Sequence, residues 1–103
     1  MESHKEIAHV TIITHREHKG ELLNAITDHG GKFINVMYGR GTVQANAVEE
    51  ALGFFPEDEK LIITFFVAHN RAEKIINMFR EEYHFDKPNT GIAFSQKISV
   101  LVF

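Results

Sequence analysis

Residues 61–68 read LIITFFVA, and this run constrains the fold more than any other part of the chain. Leu61, Ile62, Ile63, Phe65, Phe66 and Val67 occupy both parities of the run. A strand's side chains alternate between faces, so such a strand presents apolar groups to both sides of its sheet. Water cannot be the neighbour on either side at low cost. At eight residues the run is far short of the roughly 20 that a membrane-spanning helix needs. It reads as a central strand that requires cover on two faces.

Three more runs have strand character. Residues 7–14 (IAHVTIIT) and 32–38 (KFINVMY) are rich in β-branched and aromatic residues, and residues 92–103 end in the apolar VLVF. The third strand extends from about 60 to 69. Between the first two lies a helical stretch, 16–29, with Leu22, Leu23 and Ile26 on one face and Gly30 and Gly31 as its stop. Thr14 followed by Glu17 has the spacing of a capping box. After the third strand, Asn70 and Glu73 offer a second box, and Ala72, Ile75, Ile76, Phe79 and Tyr83 recur at helical spacing. Residues 87–91 (KPNTG) break that helix.

The order is β-α-β-β-α-β, the ferredoxin-like α+β arrangement: a four-stranded antiparallel sheet with two helices on one face. With both helices on one side, the other face of the third and fourth strands has no cover within the chain. Self-association through the sheets is the economical solution. At 103 residues one domain is expected, spanning 1–103.

Composition removes several function classes. The chain carries net charge −3 and no cysteine, which disfavours nucleic-acid binding, including an RNA-binding sheet, and excludes thiol chemistry and Cys-ligated metal. No signal-peptide pattern opens the chain, so a cytoplasmic location without membrane insertion is the expectation. Seven histidines are present, with His15 and His18 three apart, but structural and catalytic metal sites need three or four ligands, and solvated or capping histidines are expected instead. No nucleophile–base pair or paired carboxylates stand out, so the expectation is a protein that is not an enzyme.

The remaining feature is the connection between the second and third strands. Ordinary hairpin loops have about 2–5 residues, and loops beyond about 12–15 are usually functional or disordered. Here residues 39–59 intervene (GRGTVQANAVEEALGFFPEDE). Gly39 and Gly41 flank Arg40, and freed backbone N–H groups beside a guanidinium can cradle a phosphate; a bend where the strand leaves the sheet is the alternative. Asn89, Thr90 and Gly91 form a turn whose amides and hydroxyl can also meet a phosphate or ribose. Glu49 and Glu50 give the loop an acidic side, and Phe54 and Phe55 are either anchors for a partner or residues that fold back on the body.

These residues carry a resemblance to the P-II nitrogen-regulatory proteins and their shorter P-II-like relatives, over nearly the whole chain. The likeness rests on Gly39, Arg40, Gly41 and Thr42 opening the long T-loop, on KLIITFFVAHNRAEKIINMF ending in YHFDKPNTG, and on TGIAF entering the last strand. The resemblance implies a homotrimer whose sheets face a central axis. It implies an adenine-nucleotide effector (ATP, ADP or AMP, with no cofactor required) in clefts between subunits. Gly39, Arg40, Gly41, Thr42, Lys87, Asn89, Thr90 and Gly91 are then the ligand-binding residues. The 42–59 loop, through Glu49, Glu50, Phe54 and Phe55, would report the bound state to a transporter, enzyme or regulator, a membrane protein among the candidates, in nitrogen regulation or another signal-transduction pathway. The chain departs from the family pattern at Ile92, where that family carries a phosphate-binding lysine, leaving Lys87 as the nearby cation. It also has Val43 where a glutamine is expected, with Gln44 one place on. The alternatives on the same architecture are a CutA-like metal-binding trimer and a small phosphate-ester or acylphosphate hydrolase, for which Arg16, Arg40 and Asn35 are the available anion binders.

Overall fold

The computed structural model describes residues 6–40, 59–87 and 90–99. Its elements are β1 (Ile7–His15), a 3-10 turn (Arg16–His18), α1 (Lys19–Asp28), β2 (Lys32–Arg40), β3 (Glu59–Ala68), α2 (His69–Glu82) and β4 (Gly91–Ile98). The four strands form one antiparallel sheet in the order β2-β3-β1-β4, which is the ferredoxin-like α+β fold expected from the sequence. β3 and β1 are the central strands, and β2 and β4 the edges.

Burial alternates residue by residue along β1 and β3. On one face Val10, Ile12, Leu61, Ile63 and Phe65 are fully buried against Leu22 and Ile26 of α1 and Ile75 and Phe79 of α2. Each such side chain contributes on the order of 1.5–3 kcal/mol by leaving water, so this layer holds the fold together. In α2 the buried stripe is Ala72, Ile75, Met78 and Phe79; Met78 was not among the expected residues, while Ile76 is only half-buried.

Three local expectations are corrected. Thr14 is not a cap: it lies buried in β1, and the helix opens with a 3-10 turn that has no side-chain cap. Asn70 is not a cap either, because α2 starts at His69, whose N–H donates to the Glu6 carbonyl at 2.9 Å. β2 does not end at Tyr38 but continues through Gly39 and Arg40, paired with Lys60 and Glu59. The stop of α1 is as expected. Gly30 takes φ +90°, Gly31 N–H donates to Ile26 O at 2.8 Å and Gly30 N–H to Thr27 O at 3.1 Å, the reciprocal bonds of a Schellman motif.

At the start of β2 the ladder carries a bulge. Lys32 pairs with Phe66 and Asn35 with Thr64, so three steps on β2 match two on β3. Phe33 takes up the extra residue at φ +53° and meets Phe66 edge-on at 6.3 Å between ring centroids. The second face of the sheet, with Ile13, Ile62, Phe66, Met37, Ile92 and Phe94, has no helix over it among the described residues. Nor is any described helix long and apolar enough to cross a membrane.

Candidate ligand-binding site

Cross-strand register places the two stretches expected to meet a ligand at one end of the sheet. Gly39 on β2 pairs with Lys60 on β3, Lys60 pairs with His15 on β1, and the adjacent Thr14 pairs with Gly91 on β4. Neighbouring strands lie about 4.8 Å apart, so the ends of β2 and β4 are separated by roughly 14 Å across the row. A single chain therefore aligns the two stretches without bringing them together. Lys60 lies in this row, Arg16 follows His15 in the 3-10 turn, and Lys87 precedes β4. Lys60 was not singled out from the sequence. Its backbone pairs with Gly39 across the ladder, and the signal for it was a lysine at the start of the strand that closes the long hairpin.

The β4 side of the row is a built turn. The Thr90 hydroxyl lies 2.7 Å from both the His84 and the Lys87 carbonyls, to which it can donate. Lys87 N–H donates to the His84 carbonyl at 2.9 Å, and Phe85 N–H to Phe79 O at 3.2 Å. His84 holds φ +60°, which turns the chain out of α2. Phe85 then stacks on Phe79, with centroids 5.5 Å apart and planes 19° from parallel. Tyr83 completes this aromatic cluster; desolvation pushes its phenol pKa up, with smaller contributions in the same direction from the carboxylates of Glu21 and Glu82. The hydroxyl stays neutral at physiological pH.

Gly91 has a packing reason to be glycine. A Cβ there would fall 2.5 Å from Phe85 Cζ. Gly39 is different: it is half-buried, keeps an ordinary strand conformation, and a Cβ would sit 3.3 Å from Ile62 Cδ1. Gly39 and Arg40 remain in the β2–β3 ladder rather than in a free loop. Arg16 is exposed at the same end of the sheet, whereas Asn35 lies toward the far end, opposite Thr64. Gly41, Thr42, Glu49, Glu50, Phe54, Phe55 and Asn89 lie outside the described residues.

No group of three or more metal-ligating side chains occurs among the described residues. A groove of about 650 Å³ runs between α2 and β4, lined by His69, Asn70, Glu73 and Arg80 among others, and it does not include the sheet-end row. At the opposite end of the sheet Glu6 and Lys97 pair at 3.1 Å. The hydrogen bond and charge of Lys97 hold the Glu6 carboxyl below its usual pKa.

No protein-family model matches the sequence, and no curated protein matches it by sequence. Solved structures do match by shape. A PII-like signalling protein of Thermus thermophilus superposes with TM-score 0.67 at 19% identity, covering 90% of this chain and 87% of the other. CPII of Thiomonas intermedia, bound to ADP, AMP and acetate, gives TM-score 0.69 at 16% identity, covering 94% and 90%. B. subtilis GlnK in complex with ATP gives 0.63 at 19% identity, covering 92% and 86%. In its element order, strand order and extent, this chain has the fold of the PII-like signalling proteins.

Proposed function

We propose that this protein is a non-enzymatic PII-like signalling protein. It assembles as a homotrimer, binds an adenine nucleotide (ATP, ADP or AMP) in clefts between subunits, and controls a partner protein through the 42–59 loop. The observation that carries the proposal is the sheet-end row. Gly39 and Gly91 sit at the same end of the sheet but on opposite edges, roughly 14 Å apart. Two halves of a site arranged this way meet when the β2 edge of one subunit approaches the β4 edge of the next. The apolar second face of the sheet supplies the reason for such an approach.

In this reading Gly39, Arg40, Gly41 and Thr42 of one subunit hold the nucleotide together with Lys87, Asn89, Thr90 and Gly91 of its neighbour. Lys60 stands across the ladder from Gly39 and contributes positive charge beside the phosphates. That charge offsets the isoleucine at position 92, which pairs with Ile13. Solved structures with this fold include complexes with ADP, AMP and ATP, which supports the choice of ligand class. Glu49, Glu50, Phe54 and Phe55 are the contacts offered to the partner, whose pathway is set by that partner.

The test is a thermal shift with ADP, AMP and ATP, paired with sedimentation. A nucleotide at about 100 times its dissociation constant stabilises the native state by roughly 2.7 kcal/mol. In a domain of this size that raises the unfolding midpoint by on the order of 10 °C or more. Arg40→Ala should remove the shift while sedimentation still gives three times the 11.8 kDa chain mass. Wild-type protein indifferent to all three nucleotides would remove the effector half of the proposal, and a monomer at micromolar concentration would remove the intersubunit site.

A further inference from the structure

Among the described residues, Thr14 is the one polar side chain that is fully buried. It occupies the parity of β1 that otherwise holds Ala8, Val10 and Ile12, all without exposure. A hydroxyl in such a layer is costly unless it is hydrogen-bonded. Thr14 Oγ1 donates to the carbonyl of Thr90, 76 residues away in sequence, at 2.5 Å. That carbonyl belongs to the peptide plane joining Thr90 to Gly91, so one bond from the protein interior sets the orientation of a planar unit at the mouth of β4. Thr90 passes the constraint outward, since its own hydroxyl is held between the His84 and Lys87 carbonyls at 2.7 Å each. The next residue after Thr14 is His15, which pairs with Lys60, which in turn pairs with Gly39. One position in the central strand thus ties the turn before β4 to the row that ends at the root of the long loop.

We infer that Thr14 is a positioning residue for the ligand site: its buried hydroxyl fixes Lys87 and Thr90 relative to the Lys60–Gly39 end of the sheet. This rests on the nucleotide reading above, and it assigns no contact between Thr14 and the ligand. Valine keeps the shape of threonine and lacks the donor. In Thr14→Val the Thr90 carbonyl loses this bond from the core, and the turn keeps its own hydrogen bonds and the Phe85 contacts with α2.

The test uses the full chain, with ADP as probe and amide hydrogen exchange as a readout that needs no ligand. In Thr14→Val the Lys87 amide, bonded to the His84 carbonyl, should exchange about tenfold faster, while Ile63 and Phe65 in β3 keep their protection. ADP affinity should fall by about five- to tenfold. Thr14→Ser, which restores the donor, should recover both. Should Thr14→Val fail to fold, Thr14→Cys provides the same comparison, because a thiol is a weak donor. Unchanged exchange at Lys87 overturns the inference. So does faster exchange by a common factor throughout the sheet, which marks a core residue and nothing more. Equal ADP affinity in wild type and Thr14→Val overturns the inference alone. Wild-type protein that does not bind ADP overturns the nucleotide reading and the inference together.

Discussion

The two faces of the sheet are built from similar residues and meet different fates. On the helix-covered face Ile12, Ile63 and Phe65 have no exposure at all. On the other face, Phe33 is 67% exposed, Met37 48% and Phe94 41%, although these are residues of the same apolar kind. Residue type alone therefore does not locate the core. What separates the faces is the parity of each strand relative to the two helices. Among the described residues the second face has no helix over it, and an exposed apolar layer of this kind is the sort of surface that association covers.

The comparison is tested hardest on the covered side. Phe65→Ala should cost about 3–5 kcal/mol of unfolding free energy in urea, the range for deleting a buried aromatic ring. A loss below about 1 kcal/mol would mean that the helix layer is not the core. Gly91→Ala, on the same face, drives a methyl against the Phe85 ring and should cost about 1–3 kcal/mol. Because Phe85 is stacked on Phe79, the change should also appear in the near-ultraviolet circular dichroism of the aromatic cluster.

The open face should answer differently. Phe94→Asp should leave far-ultraviolet circular dichroism unchanged and convert the sedimenting species to the single 11.8 kDa chain. Its effect on the fold itself should be within about 0.5 kcal/mol. Unchanged sedimentation would mean that association, if present, uses another surface. The smallest effect is expected at the rim. The Glu6 carboxyl pKa is lowered in the folded chain by Lys97, so the pair stabilises the fold above the ordinary carboxylate range, and the contribution is lost as pH falls through the lowered value. The melting points of wild type and Lys97→Met should differ slightly at about pH 6 and draw together as pH falls through the lowered Glu6 value. A gap that persists at low pH would assign the difference to packing of the lysine stem.

Much of this architecture was legible in the sequence, because it depends on periodicity. The apolar spacing of α2, the β-branched strands and the Gly30–Gly31 stop each write a local rule that tertiary context left standing. The misread positions are those where a local rule had a distant competitor. Thr14 has capping-box spacing, but its hydroxyl is taken by Thr90, on the opposite side of the sequence. Asn70 was displaced because the Glu6 carbonyl accepts the His69 amide and starts the helix early. The bulge left no trace because Phe33, not glycine, holds the left-handed conformation. In the candidate site, Gly39, Lys87, Thr90 and Gly91 were visible as turn and strand-end residues. Lys60 was not, because its significance lies in register, which no single strand encodes.

The bulge at Phe33 has a consequence for how these molecules meet in crowded solution. β2 is an edge strand, and an unblemished edge presents a row of unsatisfied amides and carbonyls on which another strand can template. A left-handed residue near the start of that edge breaks the regular spacing of those groups, so a second chain cannot zip along β2 from end to end. Sheet-by-sheet polymerisation, the route toward cross-β fibres, is thereby discouraged at one of its two starting points.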